Sequence, residues 1–229
     1  MIYNIAIDGP AGAGKSTIAR RVAKELSFIY VDTGAMYRAM ALYLLRREVN
    51  KDDTEQIGNI CQDAEIPIEY QNGEQIVLLN DENVNSYLRT EEVGNMASVS
   101  SAVPRVREKL LSLQRKLARD MSVVMDGRDI GTTILPDADV KIYLTASVET
   151  RAKRRYDELK EKGTVCNLDE IQKDIEERDQ RDMNREISPL RQAEDAVLVD
   201  SSDLTIQQVV DRILQIFRSK TSGEKSHES

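Results

Sequence analysis

The sequence predicts an α/β fold in which a central five-stranded parallel sheet is flanked by helices. Three observations lead there. Short apolar runs at residues 3–8, 28–31, 123–126, 140–144 and 197–200 alternate with helical patterns, each continuous enough for a strand buried on both faces. Residues 9–16 read Gly-Pro-Ala-Gly-Ala-Gly-Lys-Ser, a full G-x-x-x-x-G-K-[ST] loop between the first run and a helical pattern over 17–26. Residues 50–94 break the rhythm: runs at 66–70 and 75–79 flank Asn72-Gly73, the strongest short hairpin signal, and predict a small antiparallel β insert.

Each further element has a local reason. Pro104 suits the first turn of a helix running to about Arg119, with Val106, Leu110, Leu113 and Leu117 on one apolar face. Ser147 can cap a helix over 148–162 that carries Arg151, Lys153, Arg154 and Arg155 and stops at Gly163, a hinge or C-cap. A last helix at 206–217 is expected to pack on the sheet. Residues 219–229 are small and charged, and disorder is expected there. Residues 1–229 are thus expected to make a single domain with the 50–94 insert.

Composition narrows the function. With 31% charged residues, no basic leader and no apolar stretch of bilayer length, the chain is expected to be cytoplasmic and free of membrane. Cys61 and Cys166 lie far apart and are expected to be reduced thiols. The only histidine is His227, which excludes Ser-His and Cys-His nucleophilic schemes and His-ligated metals. A net charge of −8 argues against general nucleic-acid binding, so a polyanionic substrate must be met by local basic clusters.

The glycine loop is the strongest of the functional signals. Glycines let successive backbone N–H groups turn around phosphates at a helix N-terminus, so Gly9, Pro10, Ala11, Gly12, Ala13, Gly14, Lys15, Ser16 and Thr17 predict binding of a nucleoside triphosphate, which the resemblance given below implies is ATP. Lys15 would reach the β- and γ-phosphates and the Ser16 hydroxyl would bind Mg²⁺. Ligands of open α/β sheets gather beyond the carboxyl ends of the strands. There the chain carries Asp32-Thr33-Gly34 and Asp126-Gly127-Arg128-Asp129-Ile130-Gly131-Thr132. Farther on, Arg178, Arg181, Asp182 and Arg185 share one face if helical. Periodicity alone fits a solvated, ion-paired face equally well; transfer to a second anion, however, needs converging guanidiniums. Asn50-Lys51-Asp52-Asp53 matches the N-K-x-D guanine motif, but it follows a helical stretch and the chain has no D-x-x-G, so a GTPase is discounted.

Taken together, residues 9–16, Asp32-Thr33-Gly34-Ala35-Met36-Tyr37-Arg38, Pro104-Arg105-Val106-Arg107, residues 126–132 and residues 178–185 resemble the bacterial cytidylate kinases, within the P-loop nucleoside monophosphate kinases. The resemblance covers nearly the whole chain. It implies the NMP-kinase fold, with 50–94 as the NMP-binding insert and a helical lid at about 151–185. It also implies transfer of the γ-phosphoryl group of ATP to CMP or dCMP by a monomer. Through it, Thr33, Arg178 and Asp182 are expected to hold the sugar, and Arg38, Arg128 and Arg185 the acceptor phosphate, with Tyr37 lying in the same substrate motif. Ser98, Arg107 and Asp129 would face cytosine, and Arg154 would reach ATP from the lid. Thr33 stands where many members carry Ser, and both keep the hydroxyl.

The implied chemistry is consistent with the charges. A phosphate oxygen that attacks is already anionic, so no general base is needed. Lys15, Arg128, Arg178 and Arg185 are the expected catalytic cations, with Asp126 reaching Mg²⁺ through water. Uracil would leave Arg107 and Asp129 unpaired, a mismatch able to reject an analogue by roughly 10⁴. Another kinase of a small anionic acceptor, such as a different nucleoside monophosphate or dephospho-coenzyme A, remains an alternative, as does an ATP-binding switch.

Overall fold

A computed structural model describes residues 1–71 and 74–222. All five predicted strands form: β1 (Asn4–Asp8), β2 (Ile29–Asp32), β6 (Val123–Gly127), β7 (Val140–Thr145) and β8 (Val197–Asp200). They make one parallel sheet of order β2-β6-β1-β7-β8. Between them lie β3 (Ile68–Gln71), β4 (Glu74–Leu79) and β5 (Glu82–Asn83), a separate three-stranded antiparallel sheet. The chain divides into two compact units, Met1–Phe28 with Val123–Ser229, and Ile29–Ser122.

In the first unit β1 is the innermost strand. It pairs in parallel with β6, Ile5 opposite Val124, and with β7, Ile5 opposite Val140. Ile5, Ile7, Met125, Ile142 and Leu144 are fully buried, as a strand covered on both faces requires. Helix α1 (Lys15–Leu26) packs on β6, and α8 (Ile206–Ser222) packs on α1 and β7. The Phe217 ring meets Tyr3 and Phe28 edge-on at 5.5 and 5.6 Å, pinning α8 to both. Helix α8 runs through Ser222, past the residue-219 start of the expected tail, because Val210, Ile213, Leu214 and Phe217 keep one face buried. The rest of that tail and His227 lie outside the described residues.

Helices α6 (Val148–Glu161) and α7 (Leu168–Asn184) form an antiparallel hairpin. Ser147 accepts from the Thr150 N–H as the predicted cap, and Gly163 closes α6 with a φ of 74°.

The second unit is built on α2 (Thr33–Arg46), whose Met36, Ala39, Met40 and Leu44 are fully buried and which packs on α4 (Glu91–Ser100), α5 (Pro104–Asp120) and β4. The insert is richer than a hairpin. It holds α3 (Thr54–Ile60), and β5 follows a two-residue turn in which Asn80 and Asp81 have φ of 47° and 69°. Residues 80–85 gave no strand signal because Glu82 and Asn83 are both exposed. The predicted turn residues Asn72 and Gly73 fall outside the described residues. On α5 the buried face is Val106, Arg107, Leu110, Gln114 and Ala118, whereas Leu113 and Leu117 are only half-buried. The stripe follows four-residue steps, and two of its positions are polar.

Candidate active site

In the first unit the phosphate loop leaves β1 through Gly9, whose φ is 152°. A Cβ there would lie 1.9 Å from the Leu144 carbonyl oxygen of β7, so only glycine lets the loop pass its neighbouring strand. Gly14, with φ of 84°, sets the N-terminus of α1. Lys15 is buried and folds back so that its ammonium donates to the Pro10 carbonyl at 2.7 Å. Burial first, and the Arg128 charge second, push it down from 10.5 to about 7. The Ser16 hydroxyl donates to Asp126 Oδ2 at 3.0 Å, joining the loop to the end of β6.

The residues after β6 form one wide turn, Ile130–Ile134, closed by a 2.7 Å bond from the Leu135 N–H to the Ile130 carbonyl. Such i→i+5 turns are rare and concentrate at functional sites. Asp8, at the end of β1, holds the turn by accepting from the Ile130 and Gly131 N–H groups, each at 2.7 Å. Burial raises its carboxyl to about 6 against the lowering effect of those two bonds. Asp8 is absent from the sequence-level site although it ends a buried strand, the same signal that picked out Asp126.

The acidic and basic residues flagged in the sequence meet in pairs. Arg128 Nε donates to Asp182 Oδ2 at 2.8 Å, and an Arg185 nitrogen lies 3.8 Å from Asp129 Oδ1. Arg185 does not share a helical face with Arg178, Arg181 and Asp182: α7 stops at Asn184, and Arg185 is extended, donating from Nε to the Ser188 carbonyl at 2.7 Å. Arg178 and Arg181 are exposed on α7. Arg154 donates to the Ser201 hydroxyl and carbonyl beyond β8, at 3.2 and 2.6 Å. Arg151 and Asp179, neither singled out as a site residue from the sequence, form a buried ion pair at 2.6 Å.

In the second unit Asp32 caps α2, accepting from the Ala35 N–H at 2.8 Å. Gln75 of β4 braces that corner, accepting from the Asp32 N–H at 2.8 Å and donating to its carbonyl at 3.2 Å. The cap places Thr33, buried, and Tyr37 and Arg38, half-buried, on the first turns of α2. Arg107 is buried on α5, its guanidinium 5.7 Å from the Tyr37 ring centroid and donating to the Ser101 carbonyl at 3.3 Å. Ser98 is half-buried on α4, and its carbonyl accepts from the Ser101 hydroxyl at 3.0 Å. The sequence-predicted acceptor residues therefore divide between the units: five here, and Arg128, Asp129, Arg178, Asp182 and Arg185 in the first.

Three comparisons with known proteins bear on this arrangement. A family model described as cytidylate kinase matches residues 5–219. The chain belongs to the cytidylate kinase family. It is 49% identical over 221 residues to a cytidylate kinase from Caldicellulosiruptor saccharolyticus, covering 96% of this chain and 98% of that one. A cytidylate kinase from Ligilactobacillus salivarius is 50% identical over 216 residues, 94% of this chain and 96% of the other. Among solved structures, an uncharacterized protein from Eubacterium ventriosum overlays with a TM-score of 0.51 at 13% identity, covering 95% of this chain and 99% of that one, a likeness of fold alone. The cytidylate kinase match takes in both units, from β1 through most of α8.

Proposed function

We propose that this protein transfers the γ-phosphoryl group of Mg-ATP to CMP or dCMP, giving ADP and CDP or dCDP, by direct in-line transfer without a general base. The cytidylate kinase match over residues 5–219, which contains an intact phosphate loop with a buried Lys15, carries this reading. The attacking oxygen belongs to an anion, so the site must overcome repulsion rather than remove a proton. Lys15, Arg128, Arg178 and Arg185 do so by stabilising charge on the transferring group. Bound phosphates would supply anions that favour the charged form of Lys15 against the lowering effect of burial.

Sugar, phosphate and base are assigned residue by residue. Thr33, Arg178 and Asp182 hold the sugar; Asp182 already takes one hydrogen bond from Arg128 and keeps lone pairs for a hydroxyl. Arg38, Arg128 and Arg185 hold the acceptor phosphate. Arg107 donates to the accepting edge of cytosine and Asp129 accepts from its amine, beside Ser98 and Tyr37. Arg154 and the α6–α7 hairpin close over ATP and exclude water.

Ser16 and Asp126 fit Mg²⁺ chemically: they are adjacent oxygen donors at the phosphate loop. Among the described residues no group of three or more His, Cys, Asp or Glu could hold a metal, so the ion would take most of its ligands from phosphate and water. When bound, it supplies charge neutralisation at the β- and γ-oxygens. No helix among the described residues is long and apolar enough to cross a membrane. We infer a cytoplasmic monomer that binds no nucleic acid.

The test is ADP release with Mg-ATP and each of CMP, dCMP, UMP, AMP and GMP, beside Arg107→Ala and Asp129→Ala. Turnover confined to CMP and dCMP, with cytosine preference weakened in both variants, is expected. ADP release that ignores the acceptor would sink the proposal.

A further inference from the structure

Arg151 sits at the first turn of α6, at the start of the segment that the resemblance marks as a lid, yet its side chain is only 4% exposed. All three guanidinium nitrogens are engaged. Nε donates to the Ala146 carbonyl at the end of β7, and one terminal nitrogen donates to the Ala11 carbonyl inside the phosphate loop, both at 2.9 Å. The other donates to Asp179 Oδ2 of α7 at 2.6 Å. A guanidinium can fasten three groups at once because its donors are fixed in one plane; an ammonium of the same charge cannot hold that fork.

Asp179 is 10% exposed, and its second oxygen, Oδ1, is buried without a hydrogen-bond partner. A half-satisfied buried ion pair is a poor stability device, since apolar side chains of like volume often serve a core as well or better. Position gives the pair another use. Asp179 follows Arg178 in the chain and stands one turn before Asp182, which holds Arg128; just past the helix end, Arg185 lies near Asp129. The loop that cradles the donor phosphates and the helix that carries the acceptor-side residues thus meet at one guanidinium.

We propose that Arg151 and Asp179 are a positioning pair that ties α7 to the phosphate loop, so that filling the loop with triphosphate sets Arg178, Asp182 and Arg185 for transfer. This rests on the assignment of those three residues to the acceptor side. Neither member of the pair touches the reacting atoms; Arg151 acts through the Ala11 carbonyl and Asp179 through its helix. Without the pair, ATP still binds but the acceptor residues lose register, and ATP is hydrolysed without transfer. Misplacement on the ångström scale is enough to cost on the order of 10²-fold in rate.

The experiment compares wild type, Arg151→Met, Asp179→Leu, the double variant and Arg151→Lys. It reads thermal midpoint, kcat, the KM for ATP and for CMP, and ADP released per CDP formed. Each single variant strands a buried charge or polar site and is expected to melt earlier and turn over more slowly. The double variant is expected to regain the wild-type midpoint while kcat stays down on the order of tenfold or more and ADP outruns CDP. Recovery of kcat and of one ADP per CDP along with the midpoint would reduce the pair to packing and overturn the inference. Should the double variant not fold, Arg151→Lys decides: it keeps the charge opposite Asp179 but not the three-way fork. A raised ADP-to-CDP ratio in it supports the positioning role, and a wild-type ratio and kcat refute it. The wild-type arm separates this from the function itself, because a wild-type protein that makes no CDP defeats the kinase reading first.

Discussion

In the first unit, cations are matched with carboxylates brought from distant parts of the chain, Arg128 with Asp182 and Arg151 with Asp179, and Lys15 lies in the charge field of Asp126 and Asp8. In the second unit, Arg107 is held by a main-chain carbonyl and an aromatic face. The first arrangement restrains strong charges that would otherwise repel or wander, which suits groups that act on a transferring phosphoryl. The second sets a guanidinium beside a flat ring, which suits the base recognition proposed for it. Loss of the first unit's buried cation Lys15 should therefore fall chiefly on kcat, and changes at Arg107 and Tyr37 of the second on KM and choice of acceptor.

Lys15→Met gives the largest expected effect, a loss on the order of 10³-fold in kcat in a steady-state assay, with CMP affinity by calorimetry nearly kept. A comparable loss of CMP affinity would break the division. Arg128→Ala should cost on the order of 10²-fold in kcat, and because it strands the Asp182 carboxylate the KM for CMP should rise as well. An unchanged KM would count against both Arg128 at the acceptor phosphate and Asp182 at the sugar.

Asp8 offers a test through stability. Its folded carboxyl is raised from 3.8 to about 6, so the folded state holds that proton more tightly than the unfolded chain does. The contribution to stability is full below about 3.8 and is lost as pH rises through about 6, a decline of about 3 kcal/mol for a shift of that size. Urea midpoints of wild type against Asp8→Asn, taken from pH 4 to 7, should show the decline in wild type and its absence in the variant. Parallel curves would contradict the raised carboxyl. The smallest effect is expected from Tyr37→Leu, which removes the ring beside Arg107: a several-fold rise in the KM for CMP with kcat unchanged, in keeping with about 1 kcal/mol for a cation–π contact.

Much of this was legible beforehand because the signals are local. A glycine loop between an apolar run and a helical pattern has one structural solution, and five continuous apolar runs in alternation with helices have few. The insert was harder to read. The residues of β5 are exposed and carry no period, so only pairing with Leu78 and Leu79 reveals the strand. Within the site, Ser16 and Asp126 followed from the motif and a strand end. Asp8 had the same strand-end signal, but its two amide partners lie over 120 residues away in the chain, at Ile130 and Gly131. The helical-face reading failed at Arg185 because helix ends are set by what the chain meets next, here a return to the Ser188 carbonyl.

Sequence alone determined the fold class, the phosphate loop and the residue types of the chemistry, since each depends on local pattern or on composition, and its motifs taken together carried the resemblance to the family. Only the tertiary structure decided which partner each charge takes. Arg151 reads as a lid cation on its own helix, and becomes a buried tie between Ala11 and Asp179 because β7, the phosphate loop and α7 pack around it. Electrostatic pairing depends on distance in space and on the exclusion of water, and neither is a property of a segment by itself.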